Sequence, residues 1–119
     1  MPGFDANIPI YLQVMDYIKK EIVSGKLKPN DQVATVREMA FKFGVNPNTI
    51  QRSLQELERE GLLKSERTTG RFICATEEMI LELKQTQGNQ KTKQFIHEMN
   101  DLGFTHEETV NLVENMKGE

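Results

Sequence analysis

The stretch Val45 to Gln55, VNPNTIQRSLQ, opens on Asn-Pro, carries Ile50 and Leu54 four residues apart, and contains no acidic side chain. Asparagine followed by proline is a helix start: the Asn46 side chain can accept from the backbone N–H groups of the first turn, and Pro47 at the first helical position gives up an N–H that has no partner there anyway. At 100° per residue, Leu54 and Leu57 fall within about 40° of Ile50, whereas Asn48, Arg52, Gln55 and Arg59 cluster near the opposite side. The glutamates of this segment, Glu56, Glu58 and Glu60, lie in its second half, on the flanks or toward the buried side. The helix therefore presents a neutral to basic outer face at its N-terminal end.

The surroundings say what such a helix is for. Upstream, Thr35 stands three residues before Glu38 in the spacing of a capping box, Val36, Met39, Ala40 and Phe43 form an apolar stripe, and Gly44 ends it. Two short helices joined by Gly44-Val45-Asn46 make a helix-turn-helix unit. Before them, from Pro9, the residues Tyr11, Val14, Met15, Ile18 and Ile22 mark an amphipathic helix whose first turn holds the proline; Ser24-Gly25 and Pro29 stop it, and a short loop follows. After Gly61, Leu62 to Arg67 and Phe72 to Cys74 are β-prone runs about Thr68-Thr69-Gly70-Arg71, and a hairpin in this place is a wing. The predicted fold is mainly α with a small β-hairpin: a winged helix-turn-helix over residues 1–75, followed by a helical region over 76–119.

In that second region Thr76 can cap a helix with Glu77 and Glu78 in its first turn, where the helix dipole favours acids. Lys84 to Gln94 lacks any apolar residue and is expected to be exposed, as helix or as loop. Phe95, Ile96, Met99 and Leu102 resume the stripe, Gly103 ends it, and Thr105 with Glu108 starts a last helix bearing Val110, Val113 and Met116. The apolar positions Met79, Ile80, Leu83, Phe95, Ile96, Met99, Val110 and Val113 need a covering surface, which two-fold pairing of chains would supply.

The net charge of −3 hides a division: residues 1–75 hold 11 Lys/Arg against 9 Asp/Glu, and residues 76–119 hold 4 against 9. Phosphate binding depends on the local field of one face, so an acidic tail is compatible with a basic reading face. Asn and Gln match the major-groove edge of adenine and Arg that of guanine. Arg37, in the first turn of the second helix, gains nothing from the dipole there, and contact with a DNA phosphate or base edge would explain it. Arg67 and Arg71 flank the wing turn and could reach the backbone or the minor groove.

The segments Pro9-Ile10-Tyr11-Leu12-Gln13, Ser24 to Pro29, Thr35 to Ala40, Gly44 to Thr49 and Leu57 to Leu62, in that order, resemble the GntR-type winged helix-turn-helix of bacterial transcription regulators. The resemblance implies DNA contacts from Arg37, Asn46, Asn48, Gln51 and Gly70. The full expected DNA-contacting set is Arg37, Asn46, Asn48, Thr49, Gln51, Arg52, Gln55, Arg67, Gly70 and Arg71. Where the family has Gly after Pro29 and Pro before Thr35, this chain has Asn30 and Ala34; altered loops and an unchanged fold are expected. Its wing, Arg67-Thr68-Thr69-Gly70-Arg71, lacks one glycine and the central cation of the usual Arg-Gly-Lys-Gly-Thr.

Most family members append a long effector-binding or enzyme-like domain. The 44 residues after position 75 instead look like the short dimerising tail of the YtrA-like branch, too small to enclose a metabolite and bury a core as well. The expectation is a homodimeric repressor of palindromic operators, with double-stranded DNA and a second copy of itself as partners, no cofactor, and no dedicated effector pocket.

Other classes find little support. His97 beside Glu98, and His106 beside Glu107-Glu108, have no metal-ligand spacing, and there is no glycine-rich phosphate loop or nucleophile elbow, so no metal, catalytic or cofactor site is expected. Cys74 is alone and expected to be simply packed. No apolar run could cross a bilayer and nothing at the N-terminus marks secretion, which leaves a cytoplasmic location as the expectation. A winged helix used only as a protein-interaction scaffold is the alternative, but it would not need Asn48, Arg52 and Gln55 on an acid-free face.

Overall fold

The computed structural model describes residues 3–117. In chain order the elements are α1 (Ile10–Val23), α2 (Val36–Phe43), α3 (Pro47–Arg59), β1 (Leu63–Glu66), β2 (Gly70–Ile73), α4 (Glu77–Asp101) and α5 (His106–Glu114). The chain divides after Leu83 into two compact units.

In the first unit α3 packs against α1, α2 and β1. The core takes Val14, Met15, Ile18 and Ile22 from α1, Met39 and Phe43 from α2, and Ile50, Leu54 and Leu57 from α3; Leu62, Leu63 and Ile73 close it from the wing side. These are the apolar stripes that helical spacing implies, those of α1 and α2 both buried against α3. Tyr17 meets Phe43 edge to face at 5.1 Å between ring centroids, joining α1 to α2.

The caps are the expected ones. Thr35 and Glu38 form a reciprocal capping box on α2, and Gly44 ends that helix at φ 64°. Asn46 Oδ1 accepts from the Asn48 N–H at 2.8 Å, with Pro47 at the first position of α3. Pro9 differs slightly from expectation: it stands at the cap position before α1 and not within its first turn.

The wing is antiparallel, pairing Leu63 with Ile73 and Glu66 with Gly70 around a turn at 67–69. Gly70 and Arg71, expected in the turn, are strand residues. The segment expected to be only a loop after α1 also joins the wing: Asn30 N–H donates to the Ile73 carbonyl at 2.7 Å, Ile73 N–H to Asp31 at 2.8 Å, and Val33 N–H to Arg71 at 2.9 Å. Backbone pairing of so short a segment leaves no period-2 pattern to detect. Asn30, where the resemblance implies glycine, has φ 75°. This is the left-handed conformation that glycine adopts freely, and asparagine is among the few other residues that tolerate it.

At the start of α4, Met79, Ile80 and Leu83 pack against the first unit's core. These apolar positions, read as partner-seeking, therefore already have cover in their own chain. Cys74 is half-buried, its thiol donating to the Gly61 carbonyl.

The polar stretch from Lys84 to Gln94 is helix, continuous within the 25-residue α4. In the second unit Gly103, at φ 94°, turns the chain, and Thr105 and Glu108 form the expected capping box on α5. Thr109 is its buried residue, with its hydroxyl returned to the Thr105 carbonyl. Phe95 and Ile96 of α4 with Val110 and Val113 of α5 line an open apolar groove of about 360 Å³.

Candidate nucleic-acid interface

The geometry of α3 divides its residues cleanly. Ile50, Ser53, Leu54 and Leu57 are buried; Asn48, Arg52 and Gln55 are exposed, and Thr49 and Gln51 are half-exposed between them. Ser53 is fully buried, and its hydroxyl donates to the Tyr11 carbonyl of α1 at 2.9 Å, with the Thr49 carbonyl at 3.1 Å as a shared acceptor. A buried hydroxyl without a partner would cost about 1–3 kcal/mol, so this bond fixes how α3 sits on α1.

The acids of α3 and its C-cap are all occupied. Glu56 pairs with Arg59 at 3.0 Å and Glu60 with Lys19 at 2.9 Å. Glu58 accepts from Ser65 Oγ and from Arg71 Nε, the latter at 2.7 Å, and so ties α3 to both wing strands. Burial by itself would raise the Glu58 carboxyl, but the hydrogen bonds from Ser65 and Arg71, with the charge of Arg71, outweigh it and hold the group below the usual carboxylate range. At the head of α2, hydrogen bonds from the Thr35 backbone and hydroxyl lower Glu38 similarly.

The outer face is the reverse. Among the described residues, the side chains of Asn48, Gln51 and Gln55 have no hydrogen-bond partner, and neither has Arg52 through its N–H groups. Arg37 and Arg67 are also exposed without a partner among the described residues. Buried and flanking polar groups are satisfied internally, whereas on the outer face Arg59 alone is paired and the other polar side chains are open to solvent.

The expected site residues thus fall into groups. Asn48, Thr49, Gln51, Arg52 and Gln55 share the accessible part of α3. Asn46 is engaged as its cap, and Arg37 lies in the first turn of α2. Arg67 occupies the wing turn, but Arg71 is committed to Glu58. Gly70 has φ 108°, and a Cβ there would meet Gln32 Nε2 at 2.9 Å; Gln32 in turn donates to the Thr69 carbonyl. The glycine therefore has a structural role in the wing whatever it touches outside.

Two participants were missed in the sequence: Tyr11, which receives Ser53 and stacks under Arg52 at 3.7 Å from ring centroid to guanidinium carbon, and Glu58, the wing tether. A serine on the buried side of α3 was the available sign of the first. Nothing in spacing announces the second.

Three helices packed about one core, with a tight turn before an exposed third helix and a β-hairpin behind it, define a winged helix-turn-helix domain. Residues 10–73 match the family described as bacterial regulatory proteins, gntR family. The chain is 42% identical over 105 residues to the HTH-type transcriptional regulator YhcF of Bacillus subtilis (strain 168), an alignment covering 88% of this chain and 87% of that protein. It is 36% identical over 92 residues to the transcriptional repressor YtrA of the same organism, covering 76% and 71%. Among solved structures, a GntR family transcriptional regulator from Listeria monocytogenes superimposes with a TM-score of 0.84 at 38% identity, over 96% of this chain and all of that one. The DNA-binding domain of AraR, in complex with its operator ORR3, matches with a TM-score of 0.56 at 32% identity, over 62% and 89%. The chain belongs to the GntR family of DNA-binding transcription regulators.

Proposed function

We propose that this protein is a homodimeric repressor that acts in the cytoplasm and reads a two-fold symmetric operator by placing α3 of each subunit in the major groove. The observation that carries this reading is the contrast on α3: every glutamate is paired internally, while Asn48, Gln51, Arg52 and Gln55 offer unengaged donors and acceptors on one face. The AraR domain solved in complex with an operator supports DNA as the ligand, and the repressor YtrA supports the sign of regulation. Two α3 helices about 34 Å apart would enter successive major grooves, and bound protein would exclude polymerase from the promoter.

Residues 1–75 are assigned to DNA binding and 76–119 to dimerisation. Phe95, Ile96, Met99, Val110 and Val113 form the pairing surface, with Met79, Ile80 and Leu83 anchoring the start of α4. Val113 and Leu102 are 54% and 74% exposed, an unfavourable arrangement for apolar side chains that a second copy relieves. Arg37 and Arg67 hold phosphates; Asn48, Thr49, Gln51, Arg52 and Gln55 discriminate bases.

Substitution separates these roles. Gln51→Ala should change which sequences bind, at about 1–3 kcal/mol for a lost bidentate contact, whereas Arg37→Ala should weaken binding to all duplexes and reduce its salt dependence. Equal, sequence-blind losses in titrations of both variants would refute the assignment.

A further inference from the structure

Arg52 differs from the other cations of α3 and the wing in what holds it. Arg59 and Arg71 are paired with carboxylates, which take up N–H donors and neutralise charge. Arg52 lies with its guanidinium carbon 3.7 Å from the centroid of the Tyr11 ring. The contact is made over the ring and is not a hydrogen bond from an N–H group. The N–H groups lie in the plane, point outward from its edge, and have no acceptor among the described residues. An aromatic support thus fixes the plane while keeping both the charge and the hydrogen-bonding fork available.

Tyr11 is itself fixed without DNA. Its carbonyl receives the Ser53 hydroxyl, from the residue next to Arg52. Just beyond it on α1, the Gln13 side chain holds residues 5–8 over the start of that helix: Oε1 accepts from the Asp5 N–H at 2.8 Å, and Nε2 donates to the Asp5 and Ile8 carbonyls, both at 2.8 Å. These bonds fix the backbone from which the half-buried Tyr11 ring meets Arg52.

We propose that Tyr11 is a positioning residue that holds Arg52 edge-on to the major groove, and that the base it reads is a guanine in each half-site, through N7 and O6. This deepens the DNA-reading assignment above and rests on it. Arginine presented edge-on matches guanine bidentately, and no other base edge in the groove offers two adjacent acceptors.

The test is base preference at each operator position, measured by competitive selection from randomised duplexes with the full chain and its variants. The wild type should require guanine at one position per half-site. Arg52→Ala and Arg52→Lys should each lower that preference about tenfold or more and leave preferences elsewhere in place. Tyr11→Leu should lower it at the same position about two- to fivefold, Tyr11→Phe should retain it, and Tyr11→Leu added to Arg52→Ala should cost nothing further there. A Tyr11→Leu chain that melts as the wild type does but loses affinity uniformly, or loses none, overturns the positioning role alone. Should Tyr11→Leu fail to fold, Arg52→Lys, which leaves the Tyr11 packing in place, still decides: unchanged guanine preference overturns the proposal. A wild type with no sequence preference overturns the DNA-reading assignment as well.

Discussion

Single residues decide where the helices begin and which groups remain free. Asn46, Pro47 and Thr35 were legible in the sequence because caps act over three residues and leave a fixed spacing. Asn30 was legible as a departure from the family glycine, but the positive φ behind it is a property of the folded loop. Asn30→Gly should leave stability nearly unchanged, whereas Asn30→Val should cost about 1–2 kcal/mol, because a β-branched residue is strained in the left-handed region. Denaturant midpoints of the two variants provide the check. The Tyr11 to Arg52 and Glu58 to Arg71 contacts were not legible, since each joins residues on separate elements and periodicity describes one element at a time.

Between elements, one carboxylate bonds α3 to both wing strands, beside the apolar packing of Leu63 and Ile73 on the core. Glu58 lies below its ordinary pKa in the fold, so its stabilising contribution is complete above that ordinary value and is lost as pH falls through the lower folded value. Glu58→Gln should destabilise by about 1 kcal/mol at neutral pH, allowing for partial solvent exposure of the pair. The difference from wild type should shrink on acidification through that range. Melting temperatures of the two proteins across pH measure it, and a gap that stays constant into acid would remove Glu58 as the titrating tether. The elements themselves were readable: α1, α2, α3 and the hairpin follow from apolar stripes, caps and glycine stops. Two features were not. The pairing of residues 30–33 with β2 is too short to show alternation, and the unbroken course of α4 through Lys84 to Gln94 has no stripe to reveal it, being largely exposed helix with side-chain pairs such as Gln85 with Asn89 along it.

For the whole molecule, the proposed function assigns the division of charge and of apolar surface to a division of labour: a core under a face that reads DNA, and a tail whose exposed apolar side chains, Phe95, Val110 and Val113 among them, pair with a second copy. The tail's first turns were read as partner-seeking because spacing shows that a residue is apolar and not what covers it; Met79, Ile80 and Leu83 meet their own core. The central claim, that α3 reads DNA sequence as one half of a symmetric pair, is tested most directly by selecting genomic or randomised duplex fragments with the purified full chain. The expected result is an inverted repeat whose half-site centres lie about 10 base pairs apart, reduced to single half-sites when Val110→Asp and Val113→Asp are introduced together. Failure to enrich any duplex sequence at low salt would contradict it.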